Sequence, residues 1–395
     1  MRGTSTRMGR RSVLKGIGTG ALGTEAVALT GHGAVGTQRA TSPSATETPV
    51  TLVSPDDDAP FNYPYFLYSP QSVTEKPRPI LVEPNNTGSS TDDFSEHREA
   101  ARDAIENGFP RGISDELGVP LLVPVFPRPE SDPVSWRHYT HQLDTETMHI
   151  SSGPLKRIDL QLIGMIEDAK GRLSGEVSDQ VMMNGYSAAG KFVNRFTVLH
   201  PEMVTSVTAG GVNGMVTLPI AEDKGHTLNY QIGVADFESI TGEPFDLEAF
   251  REVDQYIYMG AEDTNDTLPA GDAWSDEQRE IARDVYGEDM QDDRFPYCES
   301  VYESGGASAE FRLYDGVGHT VTDEMYRDVV EFHNKHADIP NRDVQSPDRD
   351  TQTPDRDVDI IDLLNAFGVP TEAAFVGSII TLSGLSYLLH RTGDD

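Results

Sequence analysis

One stretch restricts what this chain can fold into more than any other: Val181-Met182-Met183-Asn184-Gly185-Tyr186-Ser187-Ala188-Ala189-Gly190. An apolar, strand-compatible run ends in Gly-x-Ser, and Lys191 to Leu199 then reads as a helix. The order strand, sharp turn, helix pushes a serine hydroxyl clear of the backbone. Such a turn is strained and crowded, so the neighbours must lack bulk. Gly185, Ala188, Ala189 and Gly190 meet that demand.

The rest of the body alternates in the same way. Short β-type runs at 64–70, 78–84, 119–126, 204–209, 255–259 and 310–314 are interleaved with helical stretches at 91–105, 158–169, 274–285 and 323–333. Strands alternating with helices predict an α/β fold, a mainly parallel sheet with helices on both faces. Regularity breaks down between Asn213 and Val253.

The pentapeptide Gly185-Tyr186-Ser187-Ala188-Ala189 resembles the Gly-x-Ser-x-Gly nucleophile elbow of the α/β-hydrolase family, with Ala189 in the fifth place and a glycine one position later. The resemblance covers roughly residues 50–337. It implies a triad in the order serine, acid, histidine, each on a loop after a strand. The strand Tyr256-Ile257-Tyr258-Met259 runs into Gly260-Ala261-Glu262-Asp263, and Leu313-Tyr314 runs into Asp315-Gly316-Val317-Gly318-His319. The resemblance therefore implies Ser187 as nucleophile, His319 as base and Asp263 as the acid that orients it. Asp266 is the rival acid, and Asp263 is favoured because it lies closer to the strand end.

Acyl transfer also needs two backbone N–H donors for the developing oxyanion. By the same resemblance one belongs to Ala188. The other belongs to Asn86 or Thr87, in Asn85-Asn86-Thr87-Gly88 after the strand ending at Pro84. Segment 213–253 is expected to be a lid-like insertion, with Tyr186, Tyr230 and Phe237 at the substrate pocket. The activity implied is hydrolysis of a carboxylic ester, small or polymeric, through an acyl-enzyme. A peptidase or amidase, or a silent binding protein on the same fold, are the alternatives. The chemistry requires no metal or organic cofactor, and no histidine pair has the spacing of a zinc motif.

The charge balance is extreme, with 31 Lys+Arg against 65 Asp+Glu and a net charge of −34. Such a surface repels phosphates, which argues against a nucleic-acid partner. Acidity spread along the whole chain looks like adaptation to concentrated salt, as in a halophilic archaeon, because the Debye length falls to about 3 Å at 1 M. The single cysteine, Cys298, rules out an intrachain disulfide framework.

The two ends read as addresses. Residues 1–49 carry Gly9-Arg10-Arg11-Ser12-Val13-Leu14-Lys15 before a weakly apolar stretch, which resembles a twin-arginine export signal followed by a spacer. The partner implied is the twin-arginine export machinery. Residues 338–357 form a charged, Pro-containing linker. In the segment 358–395, residues 373–389 hold no charge and reach the lower edge of the ~17–25 residues that span a bilayer. The expected location is the outer face of the cell membrane, anchored through the C-terminus, with a secreted soluble form as the alternative.

Overall fold

The computed structural model describes residues 50–70, 77–88, 90–138 and 140–337. The export signal and spacer, the linker and the C-terminal span read above lie outside the described residues. Among the described residues no helix is long and apolar enough to cross a membrane.

Strands β1 (Thr51–Val53), β2 (Tyr65–Tyr68), β3 (Leu81–Val82), β4 (Leu121–Pro124), β5 (Val181–Tyr186) and β6 (Val204–Gly210) are followed by a small hairpin, β7 (Glu222–Asp223) with β8 (His226–Thr227). The last two strands are β9 (Asp254–Gly260) and β10 (Ala309–Tyr314). Eight of the ten form one sheet in the order β1-β2-β4-β3-β5-β6-β9-β10. β1 and β2 pair antiparallel, and β2 also pairs antiparallel with β4. From β4 to β10 every pairing is parallel. This is the mainly parallel sheet that the sequence leads one to expect, with an antiparallel edge.

Side chains of a strand alternate between faces, and the central strands bury both. Val82, Met183, Val207 and Ile257 face a core built with Leu162 and Met165 of the helix Ile158–Arg172 and with Phe192 and Phe196 of the helix Ala188–Leu199. Leu81 and Met182 face the opposite core, built with Ala101, Ile105, Ile113, Leu117, Met325 and Val329 from helices 94–107, 109–117 and 323–336. Each such side chain contributes roughly 1.5–3 kcal/mol when fully buried. The sheet is thereby fixed from both sides, and its parallel strands deliver their C-terminal loops to one rim. Ligands of open α/β sheets bind there.

Segment 213–253 holds the hairpin and two short helices, Phe237–Thr241 and Leu247–Glu252. Its Leu218, Leu228, Tyr230, Ile232, Phe237 and Phe250 are buried and join the first of the two cores.

Candidate active site

The elbow is strained as the local sequence demands. Ser187 sits at φ 61, ψ −121, a conformation that residues with a Cβ rarely adopt. Its N–H donates to the carbonyl of Gly210 on β6 at 2.8 Å, which fastens the turn to the next strand. Close approach falls on Gly190, where an added Cβ would strike the Gly210 carbonyl oxygen. Ala189 is accepted in the fifth place because the tight contact lies one residue later.

His319 arrives from the loop after β10. Its Nε2 stands 3.0 Å from Ser187 Oγ and its Nδ1 stands 2.7 Å from Asp263 Oδ2. The Asp263 side chain is fully buried and that of His319 is 11 % exposed. A carboxylate only accepts, so Nδ1 carries the proton and Nε2 is left to accept from the serine hydroxyl. Tyr186 packs its ring 5.1 Å from the imidazole, centroid to centroid. Gly211, at φ +61, leaves room for both rings, since a Cβ there would lie 2.8 Å from the Tyr186 ring and 3.1 Å from His319.

The structure separates the two acids. Asp266 pairs with the fully buried guanidinium of Arg294 at 2.8 Å, while Asp263 faces His319. Asn265, between them, was not expected from the sequence. Its N–H donates to Asp263 Oδ1 at 2.8 Å, and its side-chain amide lies 3.1 Å from His319 Nε2. Its only sequence signal was its place inside the acidic turn. Asn213 holds the turn in place by donating its amide to the Asn265 carbonyl.

The loop after β3 is stapled from below. Asn85 spans to the segment just after β4, donating to the Phe126 carbonyl at 2.9 Å and accepting from the Phe126 N–H at 2.8 Å. The Thr87 hydroxyl meets His97 Nδ1 at 3.0 Å, and Arg128 donates to the carbonyls of Thr87 and Gly88 at 3.3 and 3.1 Å. Burial holds His97 below the ordinary histidine range, so it meets Thr87 as a neutral ring. Asn86 is exposed and its side chain donates to the carbonyl of Tyr186 at 3.2 Å, which ties this loop to the elbow. Ala188 opens the helix, so its N–H has no acceptor within that helix.

Two of the residues expected at the pocket, Tyr230 and Phe237, are buried. Tyr230 is fully buried, its hydroxyl donating to the Leu143 carbonyl at 2.7 Å. Phe237 is buried against Phe245, ring centroids 5.3 Å apart. Both were read as pocket walls because they are aromatic and lie in an irregular segment. The apolar positions of that segment pack into the core instead. A 420 Å³ cavity lined by Pro77, Pro79, Val177 and Thr205 lies where β3, β5 and β6 begin, at the rim opposite Ser187.

No family model and no curated protein matches the chain. Among solved structures it is similar to poly(aspartic acid) hydrolase-1 from Sphingomonas sp. KT-1, at 16 % identity over 73 % of this chain and 97 % of that one, TM-score 0.47. It is also similar to an S-formylglutathione hydrolase from Agrobacterium tumefaciens, at 13 % identity over 75 % and 96 %, TM-score 0.43. A third is a poly(3-hydroxybutyrate) depolymerase from Bordetella parapertussis, at 17 % identity over 74 % and 92 %, TM-score 0.43.

Proposed function

We propose that the chain is a serine hydrolase that cleaves a carboxylic ester through an acyl-enzyme on Ser187. One observation carries the reading: Ser187, His319 and Asp263 form a continuous hydrogen-bonded relay, 3.0 and 2.7 Å long in its two links, at the C-terminal rim of the sheet. In this reading His319 Nε2 takes the Oγ proton as Oγ attacks the ester carbonyl, and Asp263 stabilises the imidazolium that results. The oxyanion then forms beside the N–H of Ala188 and the loop at Asn86 and Thr87. His319 returns the proton to the departing alcohol. Water then attacks the acyl carbon while giving a proton to His319, and as the C–Oγ bond breaks His319 passes that proton to Oγ and the acid leaves.

An activated aryl ester separates the two halves of this cycle. With 4-nitrophenyl acetate in concentrated salt, release of one equivalent of nitrophenolate per site in a burst, followed by slower turnover, is expected. A burst that persists in Ser187→Ala would sink the proposal.

We infer the address from the sequence ends alone. Replacing Arg10 and Arg11 by lysine should keep the protein inside the cell, and deleting 358–395 should release it from the membrane fraction. Unchanged fractionation of either variant would remove the corresponding assignment.

A further inference from the structure

Lys191 lies one turn along the helix that begins after Ser187, its backbone N–H donating to the Ser187 carbonyl at 3.1 Å. Its side chain has no acceptor among the described residues: Lys191 is 3 % exposed and its buried Nζ makes no hydrogen bond to them. The nitrogen stands 5.7 Å from the centroid of the Trp274 ring. Such a contact is worth ~0.5–2 kcal/mol, less than the several kcal/mol that desolvating an ammonium costs. Trp274 is also 3 % exposed, and its indole N–H likewise lacks an acceptor among the described residues. Buried donors are ordinarily matched. Here a buried lysine amine on the nucleophile helix lies against the ring of a buried indole, and neither nitrogen has a hydrogen-bond acceptor among the described residues.

The surrounding charges do not supply the missing acceptor. Arg195, Asp266, Arg294 and Asp272 are the charged groups that act on Lys191. Arg195 donates to the Gln142 carbonyl at 2.7 Å, and Asp266 is taken up by Arg294. Asp272 is half-buried among Arg128, Lys191, Arg137 and His138, and makes no ion pair among the described residues. The turn that carries Trp274 is held under strain. Ala273 has φ 61, its N–H donates to the Arg137 carbonyl, and its carbonyl accepts from Gln231 Nε2 at 2.6 Å. Strain of this kind concentrates at binding and catalytic sites.

We propose that Lys191 and Trp274 form a subsite for a carboxylate of the substrate, so that the preferred esters carry a second, ionised acid group. This rests on the reading of Ser187 as nucleophile and adds the substrate class to it. A carboxylate offers two oxygens and about four acceptor positions, which suits the three N–H of the ammonium and the one of the indole. A lysine kept only for packing would be better replaced by an apolar chain of equal length, because a buried polar group without a partner is destabilising. Burial, reinforced by the Arg195 and Arg294 cations, drives Lys191 well below the ordinary lysine range. An anion beside it reverses that direction, so binding takes up a proton and weakens as pH rises through the lysine's value in the occupied site.

The chain has two tryptophans, so Trp136→Phe leaves Trp274 as the single indole emitter. Titrating that variant with glutarate at constant ionic strength should give a saturable change in emission, lost when Lys191→Met is added. The ratio of kcat/KM for 4-nitrophenyl hemisuccinate to that for 4-nitrophenyl butyrate should fall about 10- to 100-fold in Lys191→Met, the worth of one desolvated charged hydrogen bond. No saturable change, an equal change without Lys191, or an equal loss for both esters would overturn the subsite. Should Lys191→Met not fold, the titration of Trp136→Phe decides alone. A saturable response with no turnover of either ester supports the subsite and overturns the hydrolase reading.

Discussion

Two serine–histidine pairs are present among the described residues, and the one with the shorter bond is not at the rim. Ser206 Oγ lies 2.8 Å from His333 Nδ1, whereas Ser187 Oγ lies 3.0 Å from His319 Nε2. His333 is fully buried, and its other nitrogen meets the Thr208 hydroxyl at 3.1 Å. Thr208 donates onward to Asn184, whose amide donates to Glu83, so the pair is one end of a polar ladder across the sheet. His319 has a buried carboxylate on the nitrogen away from its serine, while His333 has a second hydroxyl there. Burial pushes His333 down to about 3, so a cation on it finds neither a counter-charge nor water. Proximity of hydroxyl to imidazole is therefore a poor guide. A buried carboxylate behind the ring and partial exposure of hydroxyl and imidazole set the Ser187 pair, proposed as catalytic, apart from the buried Ser206 pair.

The largest contrast comes from deleting each hydroxyl. Ser187→Ala should lower kcat by about 10⁴- to 10⁶-fold with little change in unfolding midpoint. Ser206→Ala should leave ester turnover close to wild type and cost about 1–2 kcal/mol in a denaturant titration, the usual price of an orphaned buried partner. Loss of turnover in the second variant would erase the distinction.

The two aspartates sharpen it. Asp263→Asn should cost on the order of 10⁴-fold in kcat, because an amide no longer fixes the tautomer or stabilises the imidazolium. Asp266→Asn instead leaves the buried Arg294 without its partner, so about 3–5 kcal/mol of stability should go, read as a shift of the urea midpoint. If kcat fell equally in both, the assignment of the acid would be wrong.

The pH dependence of stability tests the buried pair. In the unfolded chain His333 takes a proton near 6.5, while in the folded protein it resists until about 3. The unfolded state therefore binds the extra proton across that window, and stability falls as pH drops from about 6.5 toward 3. His333→Gln should make this acid limb shallower. Some slope should remain, since burial also pushes His141 down to about 3. An unchanged slope would mean that His333 is not the neutral ring its surroundings require.

The smallest expected effect is at Asn265. Removing its amide in Asn265→Ala should lower kcat by about tenfold, with KM nearly unchanged, because it touches the ring and the acid but not the substrate. An effect on KM alone would make it a substrate contact.

The sequence made the strands and the three loops of the site legible because both depend on local pattern. The run ending at Tyr186, the strand ending at Gly260 and the strand ending at Tyr314 carry their periodicity within a few residues, and Gly-x-Ser and the turn before His319 announce themselves. What sequence could not supply was long-range. Asp263 and Asp266 differ in role because Arg294, distant in the chain, reaches back to one of them. Tyr230 is a core residue because Leu143 offers it an acceptor. Asn265 lies between the two candidate acids in the chain, and only the fold brings the His319 ring beside it. The helices Phe109–Leu117 and Phe295–Gly305 also went unread; the first contains an early proline and a glycine, and the second starts from an unusual wide turn at Met290–Arg294.

Covalent capture addresses the relay at the rim without any knowledge of the substrate. A fluorophosphonate added to the folded protein in concentrated salt should place one phosphonyl group on the peptide containing Ser187, as read by mass spectrometry, with labelling abolished in Ser187→Ala and strongly slowed in His319→Ala. An adduct on another residue, or equal labelling of all three proteins, would contradict the account.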